Sequence, residues 1–110
     1  MSETAATVRR LARRLGGQSQ VAEMLEVHRS SVSRWLRASD VPDAENKAKL
    51  EALDFVYRRL LQTFEVETAR KWLTGINAHL GNRRPIDLLA KNRVAEVVAA
   101  IEQAEAGSYA

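Results

Sequence analysis

The chain has 110 residues, of which 45% are hydrophobic and 28% are charged, a composition typical of one compact folded domain or two very small ones. It contains no cysteine, which excludes disulfides, iron–sulfur clusters and cysteine-based zinc sites. The sequence shows neither an apolar run near the roughly 18 residues of a membrane helix nor a signal-peptide pattern. We therefore expect a cytoplasmic protein that makes no use of a membrane.

The net charge of +3 is distributed unevenly along the chain. Residues 1–50 contain nine Lys or Arg and six Asp or Glu, whereas residues 51–110 contain eight of each kind. Most of the positive charge in the first half comes from arginines: Arg9, Arg10, Arg13, Arg14, Arg29, Arg34 and Arg37. Because a guanidinium can bind two phosphate oxygens at once, this half either binds nucleic acid or has a solvated basic helix face.

Apolar residues at helical spacing, with almost no strand pattern, predict an all-α fold. In the first half they form three groups: Val8, Leu11 and Leu15; Val21, Ala22 and Leu25; Val32, Trp35 and Leu36. Gly16-Gly17 ends the first of the three helices, and the third starts near Arg29. A long fourth helix is predicted to start within Asp40-Val41-Pro42-Asp43, with Asp40 as a capping residue and Pro42 presetting the backbone.

The long helix is expected to join two functional regions, residues 1–50 and residues 51–110. Its apolar stripe consists of Leu50, Leu53, Val56, Tyr57, Leu60 and Leu61. Beyond it, we predict a helix over residues 67–74, a loop over residues 81–84, a short helix opened by Pro85 and a last helix over residues 93–105. The side chains expected to cover the core of this small bundle are Trp72, Leu73, Ile76, Leu80, Leu88, Leu89, Val97 and Ile101.

The segment from Gln18 to Arg37 has the pattern of a helix-turn-helix. The small residue at the helix contact is Ala22, and the inward apolar positions are Val21, Leu25, Val27, Val32 and Trp35. The outward polar positions of the second helix, which are the candidate DNA-binding residues, are His28, Arg29, Ser30, Ser33 and Arg34. The segment resembles the Xre/Cro-like helix-turn-helix family, in which these positions reach base edges in the major groove. The alternative is that these are three ordinary packed helices.

One turn position departs from that family's pattern, because Glu26 stands where glycine is usual. If Glu26 adopts a positive φ, the strain is on the order of 1 kcal/mol. The sequence therefore predicts a strained or distorted turn at this point.

The second half carries another resemblance. Its matching features are Trp72-Leu73, Asn77, Leu80-Gly81, the block from Arg84 to Leu89, and the terminal Gly107-Ser108-Tyr109-Ala110. The segment resembles the toxin-binding domain of Xre/MbcA/ParS-type antitoxins. A glycine that the family often has after the Leu-Leu pair is replaced here by Lys91-Asn92-Arg93, so the turn there is expected to differ.

The resemblance implies a partner and a mechanism. The partner is a cognate toxin of the RES-domain class, which consumes NAD, and the antitoxin's C-terminal tail enters the toxin's active-site cleft. The implied toxin-binding residues are Trp72, Asn77, Arg83, Arg84, Pro85, Gly107, Ser108, Tyr109 and Ala110. The tail's own chemistry suits this role, since Gly107 allows a turn, Tyr109 supplies a flat ring and Ala110 ends in a carboxylate. By position alone, the same residues would be a frayed terminus.

Arg83 and Arg84 either contact an acidic toxin surface or are solvated. Phe55 and Tyr57 on the long helix either form a homodimer seam or pack in the core. With only two histidines, His28 and His79, and no accompanying carboxylate cluster, no metal site is expected. No cofactor is expected either.

Three classes of function compete. The first is an antitoxin that binds a toxin and operator DNA, as a homodimer or a larger hetero-oligomer with the toxin. The second is a stand-alone helix-turn-helix regulator whose second half only dimerises. An enzyme is disfavoured because the chain has no cysteine, HExxH motif, glycine-rich phosphate loop or recognisable Ser/His/Asp grouping.

Overall fold

The computed structural model describes residues 3–108. These residues form α1 (Glu3–Leu15), α2 (Gln18–Leu25), α3 (Arg29–Leu36), α4 (Ala44–Leu60), α5 (Val66–Thr74), a 3-10 turn (Ala78–Leu80), α6 (Pro85–Ala90) and α7 (Val94–Ser108). Within this range, β-type pairing is limited to an isolated bridge between Asn77 and Arg83. The predicted all-helical fold is therefore confirmed. No helix of the described segment is long and apolar enough to cross a membrane.

The first three helices follow the predicted apolar spacing. In α1 the buried side chains are Ala5, Val8, Leu11 and Leu15, with acidic Glu3 in the first turn and two arginines in the last, as the helix dipole favours. Gly16 and Gly17, with φ of 101° and 114°, form the sharp connection to α2. The connection from α2 to α3 is three residues long and includes Glu26 at φ 58° and ψ 47°, the left-handed conformation considered above.

The long helix α4 starts later than the sequence suggested. Its N-cap is Asp43, whose Oδ1 accepts from the Asn46 N–H at 2.8 Å, so the prediction of Asp40 as cap is wrong. The Asp40 carboxylate instead accepts from the Val41 N–H at 2.9 Å and lies 3.5 Å from Nε of Arg34. Pro42 consequently precedes the helix. Both aspartates are good capping residues, and sequence spacing did not distinguish between them.

One cluster of buried side chains runs through both halves of the molecule. It joins residues of α1, α2 and α3 to residues of α4, α5, α6 and α7. Trp35 is buried, as predicted, and Tyr57 is only 1% exposed, whereas Phe55 on the same helix is 48% exposed. Helix α2 packs against α6 and α1 packs against α4, so the two regions share a core.

Two predictions for the second half are corrected. Ile76 is 74% exposed rather than buried, because α5 ends at Thr74 and helical spacing no longer applies beyond Gly75. The last helix continues to Ser108 rather than ending near residue 105, so Gly107 and Ser108 lie within α7. The turn after α6 includes Asn92, whose φ of 61° lies in the left-handed region that asparagine tolerates better than most residues.

Candidate functional site

The first candidate surface is the exposed side of α3, here called the α3 face: His28, Arg29, Ser30, Ser33 and Arg34. His28 is the N-cap of α3 and is exposed, as are Arg29 and Ser30; Ser33 and Arg34 are half-buried. Arg29, Ser30 and Ser33 line one shallow hollow. The structure therefore brings these three predicted residues together.

Gln18, the first residue of α2, lines the same hollow and was not predicted from the sequence to belong to this surface. Its position at the helix start was the available signal, because the first N–H groups of a helix are unpaired within it. The caps of α2 and α3, Gly17 and His28, provide no side-chain hydrogen bond to these N–H groups. At the start of α3 the Ser31 N–H donates to the His28 carbonyl at 3.0 Å, and the earlier N–H groups of both helices are available to solvent or to a bound anion.

The arginines predicted to meet phosphate do not have equal freedom. Arg34 donates to Ser31 Oγ at 3.3 Å and lies beside Asp40. Arg10 makes a bidentate pair with Asp54, with Nη2 3.0 Å from both carboxylate oxygens, so it joins α1 to α4. Arg29, in contrast, has no side-chain partner among residues 3–108. It is the arginine of the α3 face best placed to bind a ligand.

The second candidate surface is the segment from Gly75 to Arg84 with Trp72, here called the α5–α6 loop. Asn77 shapes this loop: its Oδ1 accepts from the His79 N–H at 2.9 Å, and its main chain pairs with Arg83. The Asn77 side chain therefore already has a partner. Trp72 is half-buried against the core.

Arg83 and Arg84 are exposed but held by intramolecular contacts. Nε of Arg83 donates to the Leu80 carbonyl at 2.7 Å, and its Nη2 lies 3.7 Å from Glu96. Arg84 makes two 2.9 Å hydrogen bonds to Asp87, which raise the pKa of its guanidinium. More distant Glu23 and Glu26 act in the same direction. A partner that binds these arginines meets groups already fixed in orientation.

Pro85 is buried at the first position of α6, where its fixed φ suits a helix start. It supports the loop from within rather than lying open to a partner. Ile76, assigned to the core from its spacing, instead adds a large exposed apolar side chain to this surface.

The predicted tail begins at the far end of α7. Glu105 pairs there with Arg59 at 2.9 Å and accepts from Thr63 at 3.2 Å, and these hydrogen bonds lower the carboxyl pKa of Glu105. Gly107 is exposed, with open space around its Cα, and lies in the helix rather than in the predicted turn. Tyr109 and Ala110 lie outside the described residues.

The structure does not bring the α5–α6 loop together with Gly107, the first residue of the predicted tail. Arg83 of the loop contacts Glu96 near the start of α7, whereas Glu105 near its end contacts α4. The nine residue steps from Glu96 to Glu105 correspond to a rise of about 14 Å in an α-helix. Those predicted toxin-binding residues that the structure describes thus form two groups near opposite ends of α7, with Gly107 and Ser108 in the second group. Elsewhere in residues 3–108, no group of His, Asp and Glu side chains is arranged to hold a metal ion.

These features define an all-helical protein in which two eight-residue helices joined by a three-residue turn share a core with a second helical group. The chain is 29% identical over 106 residues, 96% of its length, to the mycobacterial cidal antitoxin MbcA of Mycobacterium tuberculosis, and covers 94% of that relative. The same values hold for MbcA of Mycobacterium bovis. No protein-family profile matches the chain.

A solved structure gives the same result. The chain is similar, with a TM-score of 0.81, 29% identity and 97% coverage of both chains, to a chain in the crystal structure of the M. tuberculosis MbcT–MbcA toxin–antitoxin complex. Sequence and fold agree over nearly the full length. The chain is therefore homologous to MbcA.

Proposed function

We propose that this chain is the antitoxin of a type II toxin–antitoxin system, of the Xre/MbcA/ParS type, and that it inhibits a RES-domain toxin that degrades NAD. The observation that carries the proposal is its similarity to MbcA over nearly the full length of both chains. The α5–α6 loop and the C-terminal tail are proposed to contact the toxin. The α3 face is proposed to bind operator DNA, so that the protein regulates its own operon.

The tail is the proposed inhibitory element. Its base is fixed, because Glu105 ties α7 to Arg59 and Thr63 of α4, while Gly107 beyond it is exposed. We propose that Tyr109 and Ala110 enter the toxin's cleft and take the place of the nucleotide. Arg83, Arg84 and Ile76 then add contacts outside the cleft.

Co-expression tests the inhibitory role. The full chain is produced with the product of the gene adjacent to its own, and complex formation, growth and cellular NAD are measured together. Deleting Ser108–Ala110 is expected to leave a complex that forms but still consumes NAD. Tyr109→Ala should give a milder loss, since a buried aromatic anchor often contributes about 2 kcal/mol or more, and Tyr109→Phe is the matched control that keeps the ring. Full protection by the truncated chain would contradict tail insertion.

The DNA-binding role has a separate test, using DNA from upstream of the protein's own gene. Arg29→Ala is expected to weaken binding by about 1–3 kcal/mol if the guanidinium contacts a base edge. Arg34→Ala should weaken it less, because Asp40 and Ser31 already occupy Arg34. The matched control is Lys91→Ala, which removes one exposed positive charge from the other region.

Two further measurements on the same variants are the salt dependence of DNA binding and the inhibition of the toxin. Affinity for DNA should fall steeply with ionic strength, because phosphate contacts release counterions, and the arginine variants should still inhibit the toxin. Equal affinity of all three variants would remove the α3 face from the proposal. A chain that binds DNA but fails to protect cells would instead be the stand-alone regulator.

The homologous complex contains a toxin with its antitoxin, and we propose that the present chain acts as a homodimer or in a larger hetero-oligomer with its toxin. The symmetry of such an assembly gives each toxin an equivalent antitoxin surface.

A further inference from the structure

We propose that two copies of this chain associate through the outer face of α4, defined here as Glu51, Phe55 and Arg58, which Gln62 extends in the turn that follows the helix. The inference assigns a surface to the homodimer proposed above and rests on that part of the proposed function. Toxin inhibition and DNA binding are measured in separate assays, so their failure is distinguishable from failure of this proposal.

The outer face is a continuous stripe. Glu51, Phe55 and Arg58 are separated by four and three positions, a spacing that places side chains in one row along a helix. These three residues and Gln62, in the turn after the helix, are all exposed. The opposite side of α4 packs in the core through Leu50, Leu53, Val56, Tyr57 and Leu60. The stripe is thus a surface of a rigidly held element.

Phe55 is the apolar centre of this face. It is 48% exposed in the middle of α4, whereas Val41 and Ile76 lie in loops and Val66 lies at the first position of α5. Aromatic residues held on rigid elements are frequent anchors of protein interfaces. Burying the Phe55 ring removes apolar area from water without reordering the backbone.

The charges on either side of Phe55 complement those of a second copy in one orientation. Glu51 lies about one turn before Phe55 and has no ion-pair partner within residues 3–108. Arg58 lies about one turn after it and is 65% exposed, with Nε 3.4 Å from Asp54. A two-fold axis near residue 55, with antiparallel α4 helices, places Glu51 of each copy opposite Arg58 of the other. A parallel arrangement would oppose like charges.

The shape of the surface supports the same occupant. Two hollows flank α4, one towards α1 that includes Glu51 and Arg58, and one towards α7 lined by Phe55, Arg58, Arg59, Gln62 and Glu105. The ion pair of Arg59 with Glu105 fixes the wall of the second hollow. A Phe55 ring from a second copy can lie there against arginine side chains, a favourable contact for an aromatic face. The outer face of α4 and the hollows beside it are therefore complementary to the same surface of a second copy.

Sedimentation velocity of the full chain over a range of concentrations tests the proposal. Phe55→Glu is expected to raise the dimer dissociation constant about tenfold or more, whereas Phe55→Leu should retain the dimer. The matched control is Val66→Glu, because Val66 is exposed to a similar extent, 41%, but lies on another element. Circular dichroism and thermal unfolding verify that each variant is folded.

Glu51→Arg is a second variant at an exposed site, and it should weaken association by placing positive charges opposite Arg58. A chain that is monomeric at every concentration, or a dimer unchanged by Phe55→Glu and Glu51→Arg, overturns the proposal. It is equally overturned if Phe55→Glu leaves self-association intact but prevents co-purification with the toxin.

Cysteine cross-linking locates the axis directly, because the natural chain contains no cysteine. Packed helix axes lie about 8–10 Å apart, which brings facing Cα atoms near a two-fold axis within the roughly 4.4–6.8 Å that a disulfide needs. Mild oxidation of Phe55→Cys should therefore give a covalent dimer, while Val66→Cys should not. Equal cross-linking of both variants would show random collision and contradict the assigned face.

Discussion

At the scale of single residues, Tyr57 shows how burial changes the behaviour of a polar group. Its side chain is 1% exposed, and its hydroxyl has no hydrogen-bond partner among the described residues. Burial raises the pKa of the phenol above 10.0, an effect partly opposed by Arg14 and Arg70. The ring therefore contributes packing, while its hydroxyl lacks the compensation that a buried polar group usually has.

Tyr57→Phe should consequently leave the free energy of unfolding unchanged or raise it by up to about 1 kcal/mol, because it removes an unsatisfied group without changing the ring. The raised pKa means that the unfolded chain loses the phenolic proton more readily. The contribution of the protonated Tyr57 phenol to the free energy of unfolding is expected to be fully present below about pH 10. It should be lost as pH rises through the folded-state pKa. Urea unfolding at pH 8 and pH 11 should show a smaller loss for the variant. A destabilisation of the variant at pH 8 would indicate a hydrogen bond to the hydroxyl.

Glu26 offers a test of backbone strain. Because its φ of 58° lies in the left-handed region, Glu26→Gly should raise the free energy of unfolding by about 1 kcal/mol. The matched control is Glu23→Gly, which inserts glycine within α2 and should lower it by a similar amount. Thermal unfolding of both variants measures the difference. A loss of stability from Glu26→Gly would mean that contacts of the glutamate outweigh the strain.

At the scale of secondary-structure elements, helices α1 and α4 are joined by a charged contact near the core. Asp54 is 7% exposed, accepts a bidentate pair from Arg10 and lies near Arg58. The pair links residues 44 positions apart. It therefore fixes the first helix of the proposed DNA-binding region on the long helix.

Asp54→Ala should lower the free energy of unfolding by about 1–3 kcal/mol, because it removes charge-assisted hydrogen bonds at a buried position. Glu67→Ala, which removes the exposed Glu67–Arg70 pair, is the control and should cost about 1 kcal/mol or less. Equal losses in chemical denaturation would show that burial of Asp54 has no special effect.

The sequence was informative about local structure and less so about contacts between elements. Helical spacing predicted the fold class and the burial of Val8, Val32 and Trp35, since each lies on the apolar face of a continuous helix. The same spacing failed for Ile76, because Gly75 ended α5. The pairing of Arg10 with Asp54 is not encoded in local spacing, since it depends on how α1 packs on α4.

For the candidate sites too, residues on one element could be predicted from the sequence, whereas contacts between elements could not. Arg29, Ser30 and Ser33 were predicted from one helix and do share a surface. Gln18 was missed because it joins that surface from another helix. The prediction for Asn77 named the residue from a resemblance, and the structure adds that its side chain supports the loop. Positions on one element could be predicted, whereas neighbours from different elements required the fold.

At the scale of the whole molecule, the core shared by both regions predicts cooperative unfolding. The chain has two tryptophans, Trp35 in the first region and Trp72 in the second, so each can report on its own region. Trp35→Phe and Trp72→Phe variants should show single fluorescence transitions that coincide, within each variant, with the loss of helical circular dichroism. A fluorescence midpoint separate from the circular dichroism midpoint would show that the regions unfold independently.

The α5–α6 loop and Gly107, where the proposed tail begins, lie near opposite ends of α7, and this has a kinetic consequence for the proposed complex. A toxin held at both ends is a bivalent partner: once one end has bound, the rigid helix keeps the other at a high effective concentration near its site. Removing either contact should therefore act mainly on the dissociation rate and leave the association rate nearly unchanged. The antitoxin would then gain long residence on its toxin from the length of one helix, even where each contact alone is weak.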